Sequence, residues 1–325
     1  MSDKVSELLT RSFPTRRKFL AGLGISAGAS AIVGCGGKGS ITPTQPMTPT
    51  PPAATTPSDA DVLNFALNLE YLEAQFYTLA TAGVLINDSS IGLSIDSGDG
   101  TIKGGTVTTK AGVNKGISPV PFATPALQDY ANETAMEERN HVSFLQSGLK
   151  TAAVAMPNID LVNSFNALAS AATIGPTFDP FADETSFLIG AFIFEDVGVT
   201  AYNGGAGLLT DPNNLQAAAG ILAVEAYHAG SIRTRIYAAG ATAQGLSQKV
   251  AAARASLSAA IAVNPQGNPD DIGVGNATNG NATIVDADAN AITFARTPTQ
   301  VLNIVYGGVA GGGAFFPNGL NGNVK

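Results

Sequence analysis

The sequence predicts an all-α protein built on a four-helix bundle. A long excursion separates the first two long helices, a crossover joins the second to the third, and an extra helical, irregular C-terminal extension follows the fourth. Three observations predict this. Four segments space their apolar residues by threes and fours, the repeat of a helix with one buried face. Two of them open with a cap residue and a proline, Thr124-Pro125 and Asp211-Pro212, which suits a first helical turn that needs no proline N–H. Each of the four carries a glutamate in the middle of its apolar stripe, where a carboxylate is costly unless it is paired or coordinated.

The first long helix starts at Ser58 as N-cap and runs to about Ala82. Asp61, Asn64, Asn68 and Gln75 line one side, and Leu63, Ala66, Glu70, Glu73 and Tyr77 the other. At about 100° per residue both glutamates fall among the core-facing positions. Residues 83–123 are rich in Gly, Ser, Thr and Asp and read as an excursion with one hairpin near Thr106–Thr109. The second helix runs from Thr124 to near Gly148, with the stripe Leu127, Ala131, Thr134, Glu138, His141 and Leu145. A crossing over 149–182 holds a short helix from Asp160 to Ala172. The third helix spans about Asp183 to Asn203, with Leu188, Phe192, Glu195, Val199 and Tyr202 on its stripe. The fourth begins at Asp211-Pro212 and carries Ala218, Ile221, Glu225, His228 and Ile232. Leu246 to Val263 reads as a fifth, Ala-rich helix, 264–295 as irregular, and Thr297-Pro298 as the start of a last short helix through Tyr306. Phe315-Phe316-Pro317 should pack back on the bundle, and the glycines at 307–313 follow a helix rather than open one, which argues against a phosphate loop.

The chain of 325 residues is 45% hydrophobic and 13% charged, with a net charge of −8. That composition supports a sizeable core. No basic stripe crosses the region after the export signal, so nucleic acid is not the expected partner. The single cysteine excludes an internal disulfide and four-cysteine or two-cysteine, two-histidine zinc sites.

Residues 1–35 read as an address. Thr15-Arg16-Arg17-Lys18-Phe19-Leu20 resembles a twin-arginine export motif, followed by a diluted apolar stretch from Phe19 to Val33 that is too short for a permanent membrane helix. Ile32-Val33-Gly34-Cys35 resembles a lipoprotein cleavage box with Cys35 as lipid acceptor, so a membrane partner through a lipid anchor is expected. Ala29-Ser30-Ala31 offers a competing cleavage site that would leave a soluble protein. Residues 36–57 form a Pro/Thr-rich linker, and 58–325 the folded domain with its extension. The twin-arginine route carries folded proteins, which fits insertion of a metal before export into the periplasm or cell envelope.

The metal expectation rests on the only two histidines, His141 and His228, each three residues after a glutamate. Residues three apart share a helix face. In chain order the stripes offer Glu70, Glu138-x-x-His141, Glu195 and Glu225-x-x-His228. One Glu from each of two helices and a Glu-x-x-His from each of the other two is the ligand set of dinuclear carboxylate bundles. The first pair of helices repeats as the second: Tyr77 lies seven residues after Glu70, and Tyr202 seven after Glu195. That offset favours Glu70 over Glu73 as the ligand. Nucleophilic hydrolase chemistry is disfavoured because the motif claims both histidines.

Four stretches carry a family resemblance: Leu63-Asn-Phe-Ala-Leu-Asn-Leu-Glu-Tyr-Leu-Glu73, Gly190-Ala-Phe-Ile-Phe-Glu-Asp-Val-Gly-Val-Thr-Ala-Tyr202, Ile221-Leu-Ala-Val-Glu-Ala-Tyr-His228 and Arg296-Thr-Pro-Thr-Gln-Val-Leu-Asn303. With them the chain resembles exported ferritin-like domain proteins related to desiccation-associated proteins, over about residues 59–320. The resemblance implies a ferritin-like core; it does not imply one activity. The donor set suits two Fe or Mn ions, with Zn as a competing occupant. In such sites Glu138 and Glu225 bridge the ions, Glu70 and Glu195 are terminal, and His141 and His228 each cap one metal. Glu73, Tyr77, Asp196 and Tyr202 are candidates for the surrounding shell, and oxygen or peroxide for the open positions. Two readings follow: a redox or stress-protective metalloprotein, with iron oxidation (oxidase or ferroxidase type) or peroxide removal as its activity, and a structural or desiccation-protective envelope lipoprotein whose metal is purely structural or absent.

Overall fold

The structure, a computed structural model, describes residues 56–100, 103–259, 271–275 and 281–325. The twin-arginine segment, Cys35 and most of the Pro/Thr-rich linker lie outside the described residues, as does the end of the fifth helix expected beyond 259.

The long helices are α1 (Asp59–Ala82), α2 (Pro125–Leu149), α4 (Glu184–Ala206) and α5 (Pro212–Ala238). The short α3 (Asn163–Ala171) lies in the crossing, and α6 (Ala241–Ala259) and α7 (Pro298–Val305) follow the bundle. Helix α1 packs along α2 and α4 along α5, with α1 also meeting α4. The architecture is the expected all-α bundle with excursion, crossover and extension.

Local chemistry sets the ends. Ser58 caps α1 in a reciprocal capping box with Asp61, and Gly83 ends it in the left-handed region at φ 73°, which glycine adopts without penalty. Asp211 caps α5 ahead of Pro212. Thr124 holds the N-cap position of α2 without a side-chain cap bond; its N–H and hydroxyl donate instead to Glu184, joining the starts of α2 and α4. The α6 start lies five residues earlier than Leu246, at Ala241.

Helices α1 and α4 are buried nearly all round through their central turns. The polar side of α1 is covered by chain that matches it. Asn64 donates to Ala152 O at 2.8 Å and accepts from Val154 N at 2.9 Å. Asn68 exchanges two bonds with the Asn321 backbone. Helix α4 is long and apolar enough to cross a membrane, yet it lies buried in the bundle. The expected hairpin is present: β1 (Val107–Thr109) pairs antiparallel with β2 (Gly112–Val113), and β3 (Ile159–Asp160) joins β1 in parallel. Phe76 of α1 packs against Phe165, Phe181, Phe187 and Phe194. Phe315 returns to this cluster, with ring centroids 5.1 Å from Phe165 and 5.0 Å from Phe194. Each such ring contributes roughly 1.5–3 kcal/mol on burial.

A second buried set ties the extension to the bundle. Asp196 accepts from Arg233 at 2.7 Å and Arg254 at 2.8 Å. Asp271 accepts from Arg254 at 2.8 Å and Arg296 at 2.5 Å. Arg254 also lies over the Phe192 ring at 4.3 Å.

Candidate metal centre

The four long helices bring all six expected ligands to the bundle interior, in two groups. Glu70, Glu138, His141 and Glu225 form one, and Glu138, Glu195 and His228 the other; within each group the ligand atoms lie within 4.8 Å of one another. His141 Nδ1 is 3.2 Å from Glu70, 3.4 Å from Glu138 and 3.7 Å from Glu225. His228 Nδ1 is 3.0 Å from Glu138 and 3.4 Å from Glu195. Glu138 is the residue common to both groups, one oxygen turned to each imidazole.

The remaining expected residues divide. Tyr77 of α1 donates to Glu195 of α4, and Tyr202 of α4 donates to Glu70 of α1. The repeat is thus crossed: each tyrosine holds the glutamate of the other half. Glu73 is buried and shares the cavity. A Cβ on Gly198 would collide with Glu225 Oε2 and lie 3.6 Å from Glu73 Oε1, so the missing side chain makes a notch for two carboxylates. Asp196, next to Glu195, belongs to the arginine set described above rather than to this cavity.

Two residues escaped the sequence reading. Gly198 sits at the position in α4 that Glu73 holds in α1, three after the glutamate. Glu137 accepts from His228 Nε2 at 2.7 Å across the gap between α2 and α5. The doublet Glu137-Glu138 was the only signal for it, and periodicity within one helix does not show which neighbouring helix a side chain reaches.

The lone pairs test whether cations fit. Both oxygens of Glu138 and of Glu225, Glu195 Oε2 and His228 Nδ1 are buried without a hydrogen-bond partner. Buried polar atoms are nearly always satisfied. Orphaned oxygens and an imidazole nitrogen, clustered and facing one another, are what a pair of divalent ions would satisfy.

Without a cation, protons must serve. Burial pushes the Glu70 carboxyl up to about 7, against the opposing pull of His141. Burial and neighbouring carboxylates hold Glu73 and Glu225 well above the ordinary range. Burial also raises Glu138, but the two imidazoles that face its oxygens outweigh it and hold that carboxyl low. Burial lowers His141, but Glu70 and Glu138 overcome it and raise the imidazole to about 12; His228 is raised likewise, against burial, by Glu195 and Glu138.

A ferritin-like domain family model matches residues 58–238, more than half of the chain. The chain belongs to the ferritin-like domain family. Among its relatives is the desiccation-related protein PCC13-62 of Craterostigma plantagineum, 29% identical over 263 residues, covering 75% of this chain and 76% of that one. Another is the ferritin-like catalase Nec2 of Nesocodon mauritianus, 25% identical over 298 residues, covering 86% of this chain and 88% of that one. No solved structure gives a significant match.

Two predictions follow from the geometry. Alanine is favoured over glycine inside a helix by up to about 1 kcal/mol, so Gly198→Ala would ordinarily stabilise. Here its methyl group enters the space of Glu225, and the variant should take up less metal than the wild type by elemental analysis; equal uptake would show that Glu225 does not need the notch. The second concerns pH. The raised Glu70 value means that the folded metal-free protein holds that proton more tightly than the unfolded chain, so the stability it lends fades as pH rises from its ordinary 4.5 through about 7. The raised His141 contribution is likewise complete below its ordinary 6.5 and is lost as pH rises toward about 12. Metal-free protein should therefore melt at a lower temperature at about pH 8 than at about pH 6. Added Mn(II) should flatten or reverse that slope, because it displaces these protons. A metal-free melting temperature that rises over this interval would contradict the assignment.

Proposed function

We propose that this protein is an exported dinuclear manganese or iron protein that removes hydrogen peroxide by disproportionation. The observation that carries the reading is the set of orphaned ligand atoms in two groups joined at Glu138. One relative is a ferritin-like catalase, which supports it. So does the redox balance. Two hydrogen peroxide molecules give two waters and one dioxygen, one peroxide being reduced and the other oxidised, so the reaction needs no separate electron donor. The single cysteine offers no cysteine-rich electron-transfer module in this chain.

Glu70, Glu138, His141, Glu195, Glu225 and His228 would hold the ions, which when bound supply the redox cycle. The chain's own residues do the rest. Tyr77 and Tyr202 fix one oxygen of Glu195 and Glu70 and leave the other to the cavity. The apolar stripes limit water around the site and strengthen each electrostatic contact within it. Glu73, beside Glu225, is a place where a proton can be held close to the reacting molecule.

The test is metal content and oxygen release. After anaerobic loading, wild type should hold about two Mn or Fe per chain, evolve dioxygen from peroxide, and melt at a higher temperature than the metal-free form. Glu138→Ala removes the shared ligand and should lose most metal and activity, whereas Tyr77→Phe should keep its metal. Metal uptake with no oxygen release would favour the structural, desiccation-protective reading.

We place the protein in the cell envelope on the strength of Arg16-Arg17 and the Ile32–Cys35 segment. Arg16→Lys with Arg17→Lys should leave it in the cytoplasm, and Cys35→Ala should move it from the membrane to the soluble fraction. A mature N-terminus at Ile32 would instead support cleavage after Ala29-Ser30-Ala31 and a soluble form.

A further inference from the structure

We propose that the two metal positions are inequivalent and that Glu137 makes them so, by orienting His228 while His141 has no counterpart. The inference rests on the metal-binding reading above and deepens it.

His228 is held from two sides by α2. Its Nε2 faces Glu137 Oε2 at 2.7 Å, and its backbone carbonyl accepts from the Tyr130 hydroxyl at 3.0 Å. A neutral imidazole that donates through Nε2 carries its lone pair on Nδ1. That Nδ1 is the atom turned to Glu138 and Glu195 and left without a hydrogen-bond partner. Once a metal replaces the Nδ1 proton, Glu137 keeps the remaining proton on Nε2 and so sets both the tautomer and the ring angle. The Glu137 side chain is 34% exposed, so it keeps contact with water.

The repeat shows what is different at the other position. Glu137 directly precedes Glu138 of the first Glu-x-x-His, and the residue directly preceding Glu225 of the second is Val224, which has no side-chain acceptor. The hydrogen bond of the His141 ring among the described residues is through Nδ1 to Glu70, on the face turned to the cluster. Each ring meets three carboxylates, but His141 meets all of them through Nδ1, whereas His228 has one, Glu137, behind it at Nε2 and is the better-positioned ligand. A carboxylate behind a ligating imidazole fixes its orientation and raises its basicity, and removing such a partner commonly weakens metal affinity about 10–100-fold. Glu137 is a positioning residue: its effect should reach one metal position and not the other.

The experiment is a calorimetric titration of the metal-free mature chain with Mn(II). Wild type should fill two sites of different affinity. Glu137→Ala should weaken one about 10–100-fold and leave the other unmoved. Glu137→Gln, whose amide oxygen still accepts from Nε2, should recover part of the loss. Single-site backgrounds assign the effect: Glu137→Ala should weaken the site that remains in His141→Ala and leave unchanged the site that remains in His228→Ala. Circular dichroism checks that each variant keeps its helices. Two sites weakened equally, or neither weakened, in a wild type that binds two ions would overturn this inference alone. A wild type that takes up no Mn(II) would overturn the metal reading and this inference with it.

Discussion

Everything in this bundle is arranged around carboxylates buried together. Glu70, Glu73, Glu138, Glu195 and Glu225 are each no more than 5% exposed, and they share the interior with two imidazoles. Leaving water costs an ion several kcal/mol even after relaxation, and mutual repulsion adds to it. Only protons or cations can balance such a set. The raised carboxyls and imidazoles show the proton solution, and the partnerless lone pairs show that it is incomplete. Metal affinity and pH dependence are thus two views of one constraint.

The molecule contains a second buried acidic group that resolves the same problem differently. Asp196, Asp271 and Asp286 also bring ligand atoms within 4.8 Å of one another. Arg233, Arg254 and Arg296 occupy that neighbourhood and supply the positive charge directly. Burial, with Asp196 and Asp271 beside it, pushes the third carboxyl, Asp286, up to about 7, toward its neutral form. Nearby acids are therefore not enough to define a metal centre. The Glu/His cluster contains no arginine, and its orphaned atoms face one another. Adjacent residues of one helix, Glu195 and Asp196, serve the two opposite solutions because successive side chains leave a helix about 100° apart.

Most of the fold was legible because it depends on signals within single segments. Capping residues, prolines at the first turn and stripes of threes and fours placed the four long helices within a few residues of their observed ends. The six candidate ligands were legible for the same reason: each lies on a stripe. What stayed hidden depends on pairs of segments. The burial of Asn64 and Asn68 required knowing that the crossing and the C-terminal tail cover that side of α1. The role of Asp196 required knowing where Arg233 and Arg254 arrive. Glu137 reaches a histidine 91 residues away on another helix, and Gly198 matters only because Glu225 lies against it.

The repeat explains both the order in the site and its departures from symmetry. Two helical halves with the same glutamate-to-tyrosine offset produce crossed hydrogen bonds, Tyr77 to Glu195 and Tyr202 to Glu70, so neither half satisfies its own glutamate. That crossing couples the halves: a shift of α4 against α1 disturbs both hydrogen-bonded glutamates at once. Two repeat positions then break the symmetry, Glu73 against Gly198 and Glu137 against Val224. The first gives one half an extra carboxylate and the other the space to receive it; the second gives one imidazole an acceptor. Solvent contact is unequal as well, since the His141 side chain is 11% exposed and that of His228 is 3% exposed. A cavity lined in this way presents one sheltered, braced histidine and one partly open one, although both come from the same four-residue motif.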